Sequence, residues 1–501
     1  MSFLRRTYRA FDCAMESIPF VTTVLICLGF YILNCISALS EFLFPHKVVR
    51  EKNREGYPPL YAQRQRHVTD FLIRRVVDCW SIPTSGVPGP EIALKHRVFE
   101  KIGGLPSFRY TGEKKKCLNL ASYNYLGFAE NSGRSTEFAI GAIHKYGMST
   151  GATARDYGTV EIHRTLEKLT AEFVGAEDSL ACGMGFATNS LNLPMLLSEG
   201  CLVLSDEQNH ISMIVGVKVS GASVKIFKHN DVFHLERLLK EAIYYGRNPL
   251  GETYEPWRKI FILIEGVYSM EGSTAPLPEI IALKKKYKAY LYLDEAHSIG
   301  AMGKNGRGVV EYFGCNPKDV DILMGTYTKS FGASGGYIAG SKELISHMRR
   351  QSYSCKYPFA MSPPIAAHIV DVLNILMGKD GTDLGRARIA SLARNSKYFR
   401  RRVNQLGLIT YGSEDSPVVP ILCCFYSKML AMVRFLREKD IASIGVGYPV
   451  TSLLECRVRI CLSASHTKEQ LDYALKIISE IAGPLGLKYS RQPTSKQLVV
   501  Y

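Results

Sequence analysis

Three short apolar runs, Ile260 to Ile264, Tyr290 to Leu293 and Ile322 to Met324, each stop at or just before a polar group: Glu265, Asp294 and Thr326 respectively. Runs this short and this apolar read as strands buried on both faces, which belong to a parallel sheet covered by helices. Between about Ile92 and residue 375 such runs alternate with segments of helical period, so the sequence predicts an α/β body. In open α/β sheets ligands bind beyond the carboxyl ends of the strands, and the three polar groups converge on that edge.

Lys329 follows the third run in Gly325-Thr326-Tyr327-Thr328-Lys329-Ser330, ahead of the glycine-rich Phe331 to Gly336. Alone it would be read as a surface charge. A lysine forming a Schiff base needs a sheltered place with small neighbours that admit a flat cofactor. Asp294, 35 residues earlier, is placed to pair with a protonated pyridine nitrogen, and His297 to donate to a phenolic oxygen on the same ring. A helix cap and a loop histidine are the bland alternatives. Upstream, Asp206 to His210 closes a further run, Cys201 to Leu204, placing His210 to stack on an aromatic ring. Gly183 to Asn189 forms a glycine-bearing turn, which is either a phosphate cradle or simply a tight turn. In Arg457-Val458-Arg459-Ile460 a strand would carry both arginines on one face, suited to a carboxylate or to a structural ion pair.

Ser17 to Ser40 carries no charge, and its 24 residues as a helix would span roughly 36 Å, enough to cross a bilayer core. The apolar stretch is too long for a signal peptide. Basic residues flank both sides, Arg5, Arg6 and Arg9 before and Lys47, Arg50, Lys52 and Arg54 after, so the positive-inside rule favours a cytosolic body only slightly. A charged connector from Lys47 to about Gln65 and an amphipathic stretch Phe71 to Trp80 precede the body. Beyond residue 380, Ile389, Leu392, Phe399, Val403 and Leu406 take helical spacing with Arg394, Lys397, Arg400, Arg401 and Arg402 between them, which predicts a smaller C-terminal domain with a basic, solvated face.

The formal charge of +16 admits several anionic partners and chooses none. Leu291 to His297 spells a DEAH box, yet no phosphate loop accompanies it, which excludes a helicase. The 13 cysteines contain no C-x-x-C pair and predict neither a zinc site nor a disulfide framework.

Asp294-Glu295-Ala296-His297-Ser298, the Lys329 hexapeptide and Ser463-Ala464-Ser465-His466-Thr467 resemble the α-oxoamine synthases, pyridoxal-phosphate (PLP) enzymes of fold type I. Gly266 to Gly272, Ala282 to Gly300 and Lys488-Tyr489-Ser490-Arg491 are similar to the PLP-bearing second long-chain-base subunits of serine palmitoyltransferases. The resemblance runs from about Lys47 to Arg491. It implies a large PLP domain over residues 116–375, a small α+β domain over 376–501, a connector and arm over 46–115 and a membrane segment within 1–45. It also implies condensation of L-serine with a long-chain acyl-CoA, a companion first long-chain-base subunit, small regulatory membrane subunits and an endoplasmic-reticulum location. A glycine-using relative and a non-catalytic subunit are the rival readings.

By resemblance Lys329 is the Schiff-base lysine, Asp294 meets the pyridine nitrogen, His297 meets the phenolic oxygen and His210 stacks on the ring. Gly185, Phe186 and Thr326 hold the phosphate. Arg459, with Asn124 as helper, takes the substrate carboxylate. The family's mobile loop reads Pro-Ala-Thr-Pro. Here it is Pro449-Val450-Thr451-Ser452, and losing the fixed φ of the second proline is expected to loosen it.

Overall fold

The computed structural model describes residues 16, 18–43, 53, 56–57, 77–102, 105–248, 253–492, 497 and 499–501. The basic residues flanking the apolar segment, nearly all of the Lys47 to Gln65 connector, and residues 71–76 of the amphipathic stretch lie outside them. A helix spans Phe20–Leu43, and Phe20–Ser40 is long and apolar enough to cross a bilayer, with mean hydropathy 2.0. Its sides differ. Thr22, Thr23, Ile26, Gly29, Phe30, Leu33, Asn34 and Ser37 recur every three or four residues on a partly covered stripe, while Val21, Leu25, Leu28, Ile32 and Leu39 are exposed. Ile26 packs with Ile409, Tyr411 and Leu422, and Phe30 meets the Tyr448 ring edge-on at 5.8 Å.

Ordered structure begins before Ile92, earlier than the turn-rich sequence predicts. Asp78, in a 3-10 turn at Val77–Cys79, takes hydrogen bonds from Arg434 Nε and Nη2 at 2.8 and 2.7 Å, and Trp80 Nε1 donates to the Gly445 carbonyl at 2.9 Å. A hairpin of β1 (Glu91–Ile102) and β2 (Leu105–Asn119) follows, and β2 pairs in parallel with the short strand Ile441–Ala442.

The central sheet has seven strands: β3 (Asp178–Cys182), β4 (Cys201–Asp206), β5 (Ser223–Phe227), β6 (Lys259–Glu265), β7 (Tyr290–Asp294), β8 (Ile322–Thr326) and β9 (Gly336–Gly340). Their order is β3-β9-β8-β7-β6-β4-β5. The five from β8 to β5 are parallel, and β9 is antiparallel to both β8 and β3. The three diagnostic strands include the polar groups that sequence placed at their ends, because those side chains are themselves buried in the sheet edge. Register sets Glu265 opposite Asp294 and Asp294 opposite Met324. Gly325 has a steric cause: a Cβ there would lie 2.4 Å from the buried Tyr337 ring. A Gly325→Ala protein is therefore expected to lose about 1–3 kcal/mol of stability through overpacking, read as a lower denaturant midpoint at unchanged slope.

A second, three-stranded antiparallel sheet, ordered β10-β12-β11, combines β10 (Val418–Cys424), β11 (Ile444–Val446) and β12 (Cys456–Cys461) with helices Leu384–Gln405, Tyr426–Glu438 and Lys468–Ala482. Arg400 is a correction to the basic face: it is buried and donates to the Val418 carbonyl at 2.7 Å. Lys397, in contrast, pairs with Asp415 at 2.8 Å on the surface. Among the described residues no cysteine forms a disulfide, and most are buried as small apolar side chains.

Candidate active site

Lys329 sits in the turn after β8, half-buried, its Nζ 5.7 Å from the centre of the Tyr123 ring. Desolvation disfavours its ammonium, and the Arg459 charge adds to that. Asp294 and Glu265 oppose them, and the net result is an amine brought down to about 8. Such an amine supplies a neutral nucleophile at a pH where an ordinary lysine does not.

Asp294 ends β7 and is nearly inaccessible. Its Oδ1 accepts from the Ala296 amide at 2.9 Å and its Oδ2 from Asn189 Nδ2 at 2.8 Å. Its neighbour Glu265, ending β6, is buried in the same cluster. Burial and the Asp294 charge push its carboxyl well above the usual range, and it accepts from the His210 backbone N–H at 2.6 Å. His210 caps the helix Ile211–Ser220 and is open to the cleft, with Phe186 edge-on to its ring at 6.1 Å.

His297 lies deeper, its Nδ1 2.8 Å from the Tyr125 hydroxyl and its ring 4.9 Å from Tyr123. Burial, then the Lys329 and Arg459 charges, hold the imidazole well below its ordinary pKa, so it is neutral. Gly185 and Phe186 open a six-residue helix, whose first amides have no intrahelical acceptor, and a Cβ on Gly185 would be 3.4 Å from Thr326 Cγ2. Gly185, Phe186 and Thr326 thus face one another where β3 gives way to the helix and β8 ends.

The two arginines of β12 part company. Arg457 is fully buried and paired, with Nη1 3.3 Å from Glu271 Oε1 and Nη2 2.8 Å from Glu455 Oε2. It is the structural ion pair. Arg457→Met leaves the Glu271 carboxylate buried without its cation and is expected to cost about 3–5 kcal/mol, most of it recovered by adding Glu271→Gln, as equilibrium unfolding would register. Arg459, 5 % exposed, has its guanidinium 4.5 Å from the Tyr123 ring centre. Its Nε finds no acceptor, and among the described residues no carboxylate pairs with it. The contact at Met270 Sδ, 3.5 Å away, is a weak one.

Asn124 is placed differently from the carboxylate helper that sequence suggests. Its Nδ2 donates to the Pro88 carbonyl at 3.0 Å and its Oδ1 accepts from the Ala129 amide at 3.2 Å, so its amide is engaged in fixing the loop. Tyr123 beside it is the residue sequence reasoning missed: it lies between Lys329, His297 and Arg459 and forms a wall of the cleft. Asn189 was also missed, although it closes the turn already singled out. The segment Pro449 to Ser452 follows Tyr448, which touches the N-terminal helix. Its Val450 and Thr451 amides donate to Gly447 O at 3.0 and 3.3 Å, and Thr451 is buried.

Residues 115–478 match the family model for aminotransferase class I and II. The chain is 45% identical to human serine palmitoyltransferase 3 over 495 residues, covering 97% of this chain and 89% of that protein. It is 47% identical to serine palmitoyltransferase 2 of Dictyostelium discoideum over 455 residues, 90% of this chain and 92% of the relative. A solved structure of SPT with PLP internal aldimine superposes with a TM-score of 0.72 at 25% identity, covering 84% of this chain and 96% of that one.

Proposed function

The chain belongs to the serine palmitoyltransferase family, and we propose that it is the PLP-bearing subunit, condensing L-serine with a long-chain acyl-CoA such as palmitoyl-CoA. The products are 3-oxosphinganine, coenzyme A and carbon dioxide, the first step of sphingolipid synthesis. The observation that carries this reading is the meeting of three groups in one cleft: the Lys329 amine lowered to about 8, the Asp294 carboxylate ending the next strand, and the Arg459 guanidinium with an unmet Nε.

These residues fit PLP. The helix-opening amides at Gly185 and Phe186, with Thr326 opposite, suit the phosphate; Asp294 suits the pyridine nitrogen; neutral His297 suits the phenolic oxygen; His210 suits the ring face. Bound there, PLP supplies an electron sink that makes the Cα–H of an amino acid acidic. Arg459 receives the serine carboxylate in a two-pronged hydrogen bond and so orients the Cα–H bond, while Asn124 holds the loop that carries Tyr123 against its guanidinium. Lys329, as a free amine, takes the Cα proton. Asp294 would hold the pyridine nitrogen. The thioester supplies the acyl carbon, coenzyme A departs as the thiol, and the serine carboxylate leaves as carbon dioxide. The loop Pro449, Val450, Thr451 and Ser452, directly after the Tyr448 that meets Phe30 of the N-terminal helix, would cover the acyl chain.

Subunit membership points to a heteromeric assembly. We take the partners to be the first long-chain-base subunit and small regulatory membrane subunits. The helix Phe20–Leu43 would be a single pass in the endoplasmic-reticulum membrane, with the body facing the cytosol. A long-tailed substrate at a membrane and a soluble coenzyme A leaving into water suit that arrangement. The test is to purify the chain with its companion subunit, record the PLP absorption, and add L-serine and then glycine. A change with serine is the expected result. A change with glycine alone would overturn the substrate and leave the cofactor, and no PLP band at all would make the chain a non-catalytic subunit.

A further inference from the structure

Asn189 stands at the centre of a directed hydrogen-bond network that no substrate contact explains. Its Oδ1 accepts from the Tyr292 hydroxyl at 2.6 Å, which fixes the amide orientation. The two Nδ2 hydrogens are then committed, one to Asp294 Oδ2 at 2.8 Å and one to Ser212 Oγ at 2.9 Å. Having accepted there, Ser212 turns its own hydrogen to His210 Nδ1, 2.7 Å away, and the Ser212 amide donates to the same nitrogen at 3.2 Å. An Nδ1 that accepts twice carries no proton in the neutral ring, which leaves the proton on Nε2.

We propose that Asn189 is a positioning residue for the PLP site, fixing at once the orientation of the Asp294 carboxylate and the tautomer of His210, whose Nε2–H is presented to the cleft. Asn189, Tyr292, Ser212 and Asp294 are all buried, so water does not replace a lost donor. The Glu265 carboxyl holds the His210 main chain from the other side, so the histidine is fixed at backbone and ring. The charged groups facing this cluster are Asp294 and Lys329, with Glu265 packed beside them. The side-chain branches to Asp294 and to His210 therefore meet at one amide.

The inference rests on the PLP reading and is tested with the full chain, co-purified with its companion subunit, in wild-type, Lys329→Ala, Asn189→Asp and Ser212→Ala forms. PLP affinity and the pH midpoint of its visible band are measured. Asn189→Asp keeps the shape but sets an acceptor against the Asp294 carboxylate, and two such neighbours do not both ionise. It is expected to weaken PLP binding about tenfold or more and to move the midpoint by about one pH unit. Ser212→Ala removes the hydroxyl that joins Asn189 to the histidine, keeping the residue 212 amide on Nδ1, and is expected to leave PLP affinity within about twofold while altering the spectral change on adding L-serine. Wild-type affinity and midpoint in folded Asn189→Asp would overturn the proposal, as would a serine response in Ser212→Ala identical to wild type. If Asn189→Asp does not fold, Tyr292→Phe releases the amide orientation and is expected to act in the same direction by about threefold; no change would overturn the proposal. A wild-type protein without a Lys329-dependent band would instead sink the PLP reading itself.

Discussion

Lys329→Ala is expected to lower long-chain-base formation by about a thousandfold or more, because one amine is asked both to hold the cofactor and to move the Cα proton. The fold should survive. Lys329 is half-buried in a turn and makes no ion pair among the described residues, so thermal unfolding of the variant should stay close to wild type. The wild-type rate should also depend on pH in a stated sense. Desolvation favours the neutral amine and brings it to about 8, so kcat should climb about tenfold per unit below that value and level off above it. A lysine at its ordinary value would still be climbing two units higher. A flat profile from pH 6 to 9 would remove Lys329 from the proton transfer.

Arg459→Ala carries the second large effect. The guanidinium is buried, stacked against Tyr123, and holds an Nε without an acceptor, a costly arrangement unless a ligand completes it. A charge-assisted, two-pronged bond to a carboxylate is worth about 3 kcal/mol, so the KM for serine should rise about a hundredfold. The fall in kcat should be smaller, and PLP absorption should not change. Arg459→Lys should recover only part of the loss, since an ammonium keeps the charge without the planar fork. Steady-state kinetics over a wide serine range separates these outcomes. An unchanged KM would place the carboxylate elsewhere.

The features that sequence makes legible are those with local causes. Buried parallel strands read as short apolar runs, and the catalytic edge of the sheet is where such runs stop, so Asp294 and Thr326 stand out by position, and Lys329 by their company. What the pattern does not resolve is which of several suitable side chains is already satisfied. Arg457 and Arg459 occupy equivalent places on alternating residues of β12. The arrival of Glu271 from the large domain, opposite the nearby Glu455, makes the first a structural pair, while the second is left facing Tyr123. Arg400 hides in a basic run for the same reason, because its acceptors are the carbonyls of Tyr411 and Val418, 11 and 18 residues away. Asn189 looks like the tail of a glycine turn until the sheet brings Asp294 to it across 105 residues. Tyr123 likewise gains meaning only when β8 and β12 close around it. Long-range pairing, which no local period encodes, decides each of these cases.

The central claim, that Lys329 holds the cofactor, has a direct chemical test. Borohydride reduction of the PLP-loaded protein fixes the cofactor to whichever lysine carries it, and tryptic digestion followed by mass spectrometry locates the adduct. The expected result is one pyridoxyl-modified peptide, Asp319 to Lys342, left uncut at Lys329. An adduct on another lysine, with Asp319 to Lys329 recovered unmodified, would contradict it.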